Sequence, residues 1–254
     1  MRPSRTSHLR PAPRFSGLDL AALVLNSLDI SGADWSSSDA AGILGSVDVT
    51  SGVTSLVTAL LAVGNQTYAP TVTTDFTGPR WYQPLTDSNG VPLTSDDHFI
   101  HVLQIKHVAP VSSPPMRAIL GVCEDPTATA LTSIKLGGAC LAFAAAGGNP
   151  ILESVTVAAA SAIGANANNR VLRAVGIFRP SVLPSYYVVG YDASGVNRGT
   201  VHQASSTSFS ASAPLYRCFA WGAYNASSTW TAGLDAKMEL SDVVIRLSPD
   251  PSAS

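Results

Sequence analysis

Short apolar runs broken by turn residues recur along most of the chain. In His98-Phe-Ile-His-Val-Leu-Gln-Ile-Lys-His-Val108, the set His101, Leu103, Ile105, His107 alternates with Ile100, Val102, Gln104, Lys106. That is the period of a strand with one face drier than the other. Arg117–Cys123 is a second run, set off by the Pro110–Pro115 loop, and Ser133–Leu136, Ala139–Ala145, Ser154–Ala160, Val171–Arg179, Tyr186–Tyr191, Leu215–Ala223 and Ala236–Leu247 follow at close intervals. Pro70, Gly78-Pro79, Pro84, Asn89-Gly90 and Pro92 interrupt the chain too often for a long helix, and Asn89-Gly90 predicts a tight turn. Many short strands with such punctuation predict an all-β sandwich or barrel. No helix-period stretch alternates with them, which argues against an α/β fold. Before Gly64 the apolar groups Leu18–Leu28, Ile43–Val49 and Val53–Val63 fit a helical turn or a strand equally well.

At 254 residues the chain is long enough to bury a substantial core as one domain. The expected organisation is a basic arm at 1–17, an opening segment at 18–67 packed on the sandwich, the β-sandwich at 68–248, and a short tail at 249–254. Charged residues make up 13% of the chain against 46% hydrophobic, and the formal charge of −2 gives no general attraction to nucleic acid. The charge is unevenly placed. Arg2, Arg5, Arg10 and Arg14 all precede the first acidic residue, Asp19, and without them the total becomes −6. Pro3, Pro11 and Pro13 make that segment an extended arm, suited to lying along a neighbouring subunit or touching nucleic acid weakly, or else a plain tail.

Leu18–Leu28 contains Asp19 and Asn26 and lacks a small-residue cleavage site, so no signal peptide is evident. No stretch approaches the roughly 20 apolar residues of a membrane span, and a soluble protein is expected. Cys123, Cys140 and Cys218 are odd in number and unclustered, which fits small buried hydrophobes better than a zinc site or a disulfide framework.

Catalytic patterns are missing. Glu239 and Asp242 lie three apart, hence on opposite faces of a strand, so they do not form the facing carboxylate pair a glycosidase needs. No Gly-x-Ser-x-Gly elbow, Walker loop or Gly-x-Gly-x-x-Gly is present. His101 and His107 share a face but stand about 20 Å apart on a strand, and His98 has the opposite parity, so an exposed polar strand face is expected there rather than a metal site. Binding is easier to support, because sugars stack on aromatic rings and hydrogen-bond to amides and carboxylates. Trp81, Tyr82, Tyr191, Asp192, Tyr224, Asn225 and Trp230 fall near predicted turns or strand ends and are the candidate carbohydrate site, with core or subunit packing as the competing role. Trp221, inside Cys218–Ala223, is the best core candidate.

The order of the C-terminal runs has a parallel. Val171-Leu-Arg-Ala-Val-Gly-Ile-Phe-Arg179 is followed by Tyr186-Tyr-Val-Val-Gly-Tyr-Asp-Ala-Ser-Gly195, a Ser-rich link, Cys218-Phe-Ala-Trp-Gly-Ala-Tyr-Asn225 and Thr231–Leu247. This resembles the end of concanavalin A-like, laminin-G-like jelly rolls. Trp35–Ala40, Tyr68-Ala-Pro-Thr71 and Phe76–Tyr82 resemble the versions found in bacteriophage virion proteins. The resemblance, over Asp34–Leu247, implies an antiparallel two-sheet jelly-roll sandwich. Many members of that fold bind calcium. Their ligands have no clear counterpart here, where Asp96, Asp97, Glu124 and Asp125 read as solvated turn residues; no metal or other cofactor is expected.

The resulting expectation is a non-enzymatic component of a virus particle, assembled in the host cytoplasm: a phage head-decoration, spike or tail protein. Its partners would be other virion proteins, further copies of itself and a host-surface polysaccharide, with no membrane contact. The alternatives are a shell-forming capsid protein of a small virus and a free carbohydrate-binding module.

Overall fold

A computed structural model describes residues 23–38, 46–50, 53–57, 80–107, 116–128, 131–143, 150–156, 159–165, 169–180, 182–192, 194–204, 208–223 and 235–247. Side chains are described for 23–38, 80–106, 118–128, 133–139, 171–180, 182–192, 194–200, 208–220 and 238–247. The strands are β1 (Asn26–Ser27), β2 (Ser36–Ser38), β3 (Ser46–Thr50), β4 (Val53–Val57), β5 (Arg80–Pro84), β6 (Phe99–His107), β7 (Met116–Cys123), β8 (Gly137–Phe143), β9 (Pro150–Thr156), β10 (Ala159–Ala165), β11 (Asn169–Arg179), β12 (Val182–Asp192), β13 (Asn197–Ala204), β14 (Tyr216–Ala223) and β15 (Asp235–Arg246). One short helical turn, α1 (Leu131–Ile134), joins β7 to β8.

Two sheets form, and every described strand pair within them is antiparallel. Sheet A runs β13-β12-β11-β6-β15-β4-β3, with β1 also paired to β15, and sheet B runs β10-β9-β8-β7-β14-β5-β2. The chain passes repeatedly from one sheet to the other. This is the jelly-roll sandwich that the sequence resemblance implies.

The alternation along β6, β11, β12 and β15 has a direct structural reading. Val244, His101, Gly176 and Tyr186 lie side by side across sheet A and face sheet B, while Val243, Val102, Val175 and Tyr187 form the next row and face outward. Between the sheets, Phe99 stacks on Phe178 at 4.3 Å and Tyr186 meets Phe178 edge-on at 5.7 Å. Leu85, Leu93, Val122 and Leu215 complete this part of the core. The Tyr186 ring occupies a slot that two glycines leave open: a Cβ on Gly137 would lie 2.9 Å from Cε2 of the ring, and one on Gly176 would lie 2.9 Å from Cε1.

Several sequence expectations are corrected. Ser133–Leu136 is not a strand but the end of α1 and the bend after it, because four residues of Leu-Thr-Ser-Ile carry too short a pattern to separate one helical turn from a strand. Ser154–Ala160 is not one strand: β9 ends at Thr156 and β10, antiparallel to it, begins at Ala159, and the sequence between them has no Gly or Pro to mark the break. The Ser-rich link after Gly195 contains β13. Before residue 68 the chain supplies β1, β3 and β4 to one sheet and β2 to the other.

Candidate functional site

Two Asp-centred turns of the same construction flank the molecule. Asp87-Ser-Asn-Gly-Val91 follows β5 and Asp192-Ala-Ser-Gly-Val196 follows β12. In each, the Asp Oδ1 accepts the backbone N–H groups two and four residues on: Asn89 and Val91 at 2.9 and 3.0 Å, Ser194 and Val196 at 2.9 and 3.0 Å. Gly90 and Gly195 both have φ of 78°, which side chains rarely adopt, and both donate back to the Asp carbonyl. An arginine then takes the free Oδ2, Arg246 for Asp87 and Arg198 for Asp192. These contacts hold both carboxyls below the ordinary aspartate range, the Val91 and Val196 N–H groups contributing most.

The first turn borders a large opening. A cleft of about 960 Å³ lies between the 85–98 loop, the β11–β12 turn and the end of β15. Arg246 fastens the loop to β15, donating to Asp87 at 3.3 Å and to Asp97 through its other terminal nitrogen. Asp97 also accepts the Thr94 N–H at 2.8 Å. Burial raises its carboxyl, but Arg246 and Thr94 outweigh this and leave it below the ordinary range. Asp96 is occupied by Ser212, whose N–H and hydroxyl both donate to it. The apolar floor comes from Val243, Ile245 and Leu247 on the outer face of sheet A, with Val182 opposite. Burial and the nearby Arg179 charge lower the His98 pKa, so the imidazole on this rim is neutral at neutral pH.

The outer face of sheet A continues the floor. Ile100, Val102 and Val175 are buried there beneath Leu23, Leu25, Ile177, Tyr187, Val243, Ile245 and Leu247. Toward the other end the rows turn polar, with Arg173 Nε donating to Gln104 at 2.7 Å and Lys106 to Glu239 at 2.8 Å. Tyr191 closes the Glu239–Lys106–Val171 row. The outer face of sheet B is different, being capped by the segment around α1: Ile134 and Leu136 pack on Ile119, Cys123, Cys218 and Ala220, and Arg80 donates to the Ala128 carbonyl.

Among the described residues, the carbohydrate candidates are not one cluster. Trp81 is only 7% exposed and packs on Phe219 at 5.9 Å, so its ring belongs to the interior and offers no open face for a sugar. Tyr82, beside it, is half-buried on the outer face of sheet B, edge-on to Tyr216 at 6.0 Å. Tyr191 and Asp192 stand at the end of β12 in sheet A, where Asp192 holds its own turn. Tyr224, Asn225 and Trp230 lie outside the described residues, as do Arg2, Arg5, Arg10 and Arg14; the Trp221 and Cys140 side chains do too. Cys123 and Cys218 are buried and unbridged, and burial pushes the Cys123 thiol well up.

His101 overturns its expected place. It is fully buried between the sheets and its Nε2–H donates to Asp242 at 2.7 Å. Arg217 reaches across from sheet B to the same carboxylate oxygen. Burial alone would raise the Asp242 carboxyl, yet His101 and Arg217 hold it below the ordinary range. Glu124 and Asp125, expected as solvated turn residues, are engaged too, Glu124 with Lys135 at 3.0 Å and the Ser210 N–H, Asp125 with Thr127 and Ala128. No cluster of metal-ligating side chains occurs among the described residues, and no helix among them is long and apolar enough to cross a membrane.

The Asp87 and Asp192 turns carried a signal that a reading of Asn89-Gly90 alone passes over: the repeated Asp-x-x-Gly-Val. Arg246 and Asp242 had none, because their partners are distant in sequence.

No family model matches the chain, and no curated protein does. Solved structures similar to it include the CBM2 module of the evolved Dit of Lactobacillus casei BL23 phage J-1, at 9% identity and TM-score 0.49, covering 87% of this chain and 93% of that one. Peanut lectin is similar at 10% identity and TM-score 0.46, covering 88% and 97%. An alginate lyase from Alteromonas sp. 272 is similar at 9% identity and TM-score 0.42, covering 85% and 96%.

Proposed function

We propose that the chain is a non-enzymatic structural component of a virus particle, a phage head-decoration, spike or tail protein, whose sandwich holds a host-surface glycan in the cleft bordered by Asp87, Asn89, Arg179, Val182, Val243 and Arg246. One observation carries the binding part. The cleft is of ligand size, about 960 Å³, yet each carboxylate on its rim is already occupied by backbone N–H, hydroxyl or guanidinium donors. A carboxylate so held is a poor general acid or base at neutral pH, whereas a fixed polar rim over an apolar floor suits recognition. Tyr191 and the outer rows of sheet A extend the same surface. The arm bearing Arg2, Arg5, Arg10 and Arg14 supplies the attachment to other virion proteins.

The test has two arms. On a broad glycan array the chain should bind, and Val182→Trp, at a position 53% exposed, should block the cleft without unfolding the protein and weaken binding about tenfold or more. In a particle-binding assay the chain should attach to virions lacking it, and deletion of residues 1–17 should abolish attachment. A chain that binds no glycan, or binds equally well with Val182→Trp, sinks the site; a monomer that never attaches to particles sinks the virion role.

A further inference from the structure

We infer that the cleft selects an acidic sugar whose carboxylates are widely spaced, and that Arg179 is the residue that receives the carboxylate. The inference rests on the glycan reading above and specifies its ligand. Arg179 is exposed at the β11–β12 turn and forms no hydrogen bond or ion pair among the described residues. The other arginines with described side chains are engaged: Arg198 with Asp192, Arg217 with Asp242, Arg246 with Asp87 and Asp97, and Arg173 with Gln104, while Arg80 is buried against the Ala128 carbonyl. Arg179 also stands where three openings meet. It borders the 960 Å³ cleft, a second of about 290 Å³ toward Phe209, and a third of about 110 Å³ toward Tyr187. Its charge is felt on that rim, since it helps lower His98.

A guanidinium presents a planar fork of donors that fits a carboxylate with two parallel hydrogen bonds. The surroundings limit how much negative charge can follow. The large cleft holds three carboxylates, Asp87, Asp96 and Asp97, against two guanidinium groups, Arg179 and Arg246. Arg246 is already shared by two of the three. A densely charged polymer would therefore be repelled along the rim. A chain with one uronic acid among neutral sugars can place its carboxylate on Arg179 and lay neutral rings over Val182, Val243 and Ile245.

Binding should be measured by calorimetry with oligosaccharides of hyaluronan and gellan, the same oligosaccharides after carboxyl reduction, and dextran sulfate. The native forms should bind, carboxyl reduction should weaken binding about tenfold or more, and dextran sulfate should bind no better than the reduced forms. Arg179→Gln should bind native and reduced forms equally weakly, and Arg179→Lys should recover part of the difference. Thermal melting unchanged from the parent shows that both variants fold. Equal binding of native and reduced forms, or no effect of Arg179→Gln, overturns this inference and leaves glycan binding standing. Binding of neutral glycans alone does the same. No binding of any saccharide by the parent chain overturns both.

Discussion

Two carboxylate–arginine clusters in this molecule use the same groups in opposite settings. His101, Asp242 and Arg217 lie between the sheets, with the Asp242 and Arg217 side chains only 1% and 11% exposed. Asp87, Arg246 and Asp97 lie on the rim of the cleft, where the Arg246 side chain is 39% exposed. The interior cluster joins β6 and β15 of one sheet to β14 of the other, and water cannot replace any member. At the rim, water reaches the guanidinium, and the two aspartates keep their backbone donors whether or not it stays. The first cluster is therefore committed to the fold, while the second can order a binding surface and still yield to it.

The largest effect should come from Asp242→Ala. It leaves the Arg217 charge in the interior without its counterion, which costs about 3–5 kcal/mol. The urea midpoint, compared with the parent at neutral pH, measures it. Replacing all three members with apolar residues, His101→Leu, Asp242→Leu and Arg217→Met together, should cost far less than Asp242→Ala alone, since the penalty comes from the stranded charge rather than from the lost pair. If the triple variant is as unstable as the single one, the cluster is holding the sheets together by more than charge balance.

Gly137→Ala tests the same interior through packing. A methyl group there would press on the Tyr186 ring, which Phe178 and Gly176 already confine, and a loss of about 1–3 kcal/mol is expected. Tyr186→Phe should move stability the other way. The Tyr186 hydroxyl is buried without a hydrogen-bond partner among the described residues, and burial raises its pKa. Removing it deletes an unpaired polar group and keeps the ring, for a gain of about 1 kcal/mol. A loss instead would mean that the hydroxyl is hydrogen-bonded within the folded protein.

The contrast also marks what could be read from the sequence. Strands β6, β11, β14 and β15 were legible because each has a core-facing row of every second residue, and period two is local information. Strand β13, Asn-Arg-Gly-Thr-Val-His-Gln-Ala, was not, because it lies at the end of the described sheet order and its sequence is largely polar. His101 looked like part of a polar surface because its partner, Asp242, is 141 residues away. The parity argument that separates Glu239 from Asp242 holds in the structure, with Glu239 outward on Lys106 and Asp242 inward on His101. Parity alone did not say which of the two faced the core. The cleft was beyond reach for a similar reason, since Arg246, Asp87 and Arg179 come from three elements that only the fold brings together.

The smallest effect is expected at the rim, from Arg246→Ala. The Asp87 and Asp97 carboxyls are both held low, so their contribution to stability is fully present above the unfolded aspartate value of about 3.9 and is lost as pH falls through their lower folded values. Without Arg246 both should titrate closer to that unfolded value, and acid unfolding should begin at a slightly higher pH. Asp87 should move little, because the Val91 and Asn89 N–H groups remain, and Asp97 should move more, since Arg246 is its first stabilising contact. At neutral pH the fall in urea midpoint should be a small fraction of that for Asp242→Ala. It should shrink further as salt is raised to about 1 M, where screening acts over about 3 Å, while the Asp242→Ala deficit persists because its charges are shielded from solvent ions. Carboxyl titrations followed by NMR, with denaturation at low and high salt, separate the two clusters. A rim variant as damaging and as salt-insensitive as the interior one would mean that the 85–98 loop is part of the folding core and not a surface built upon it.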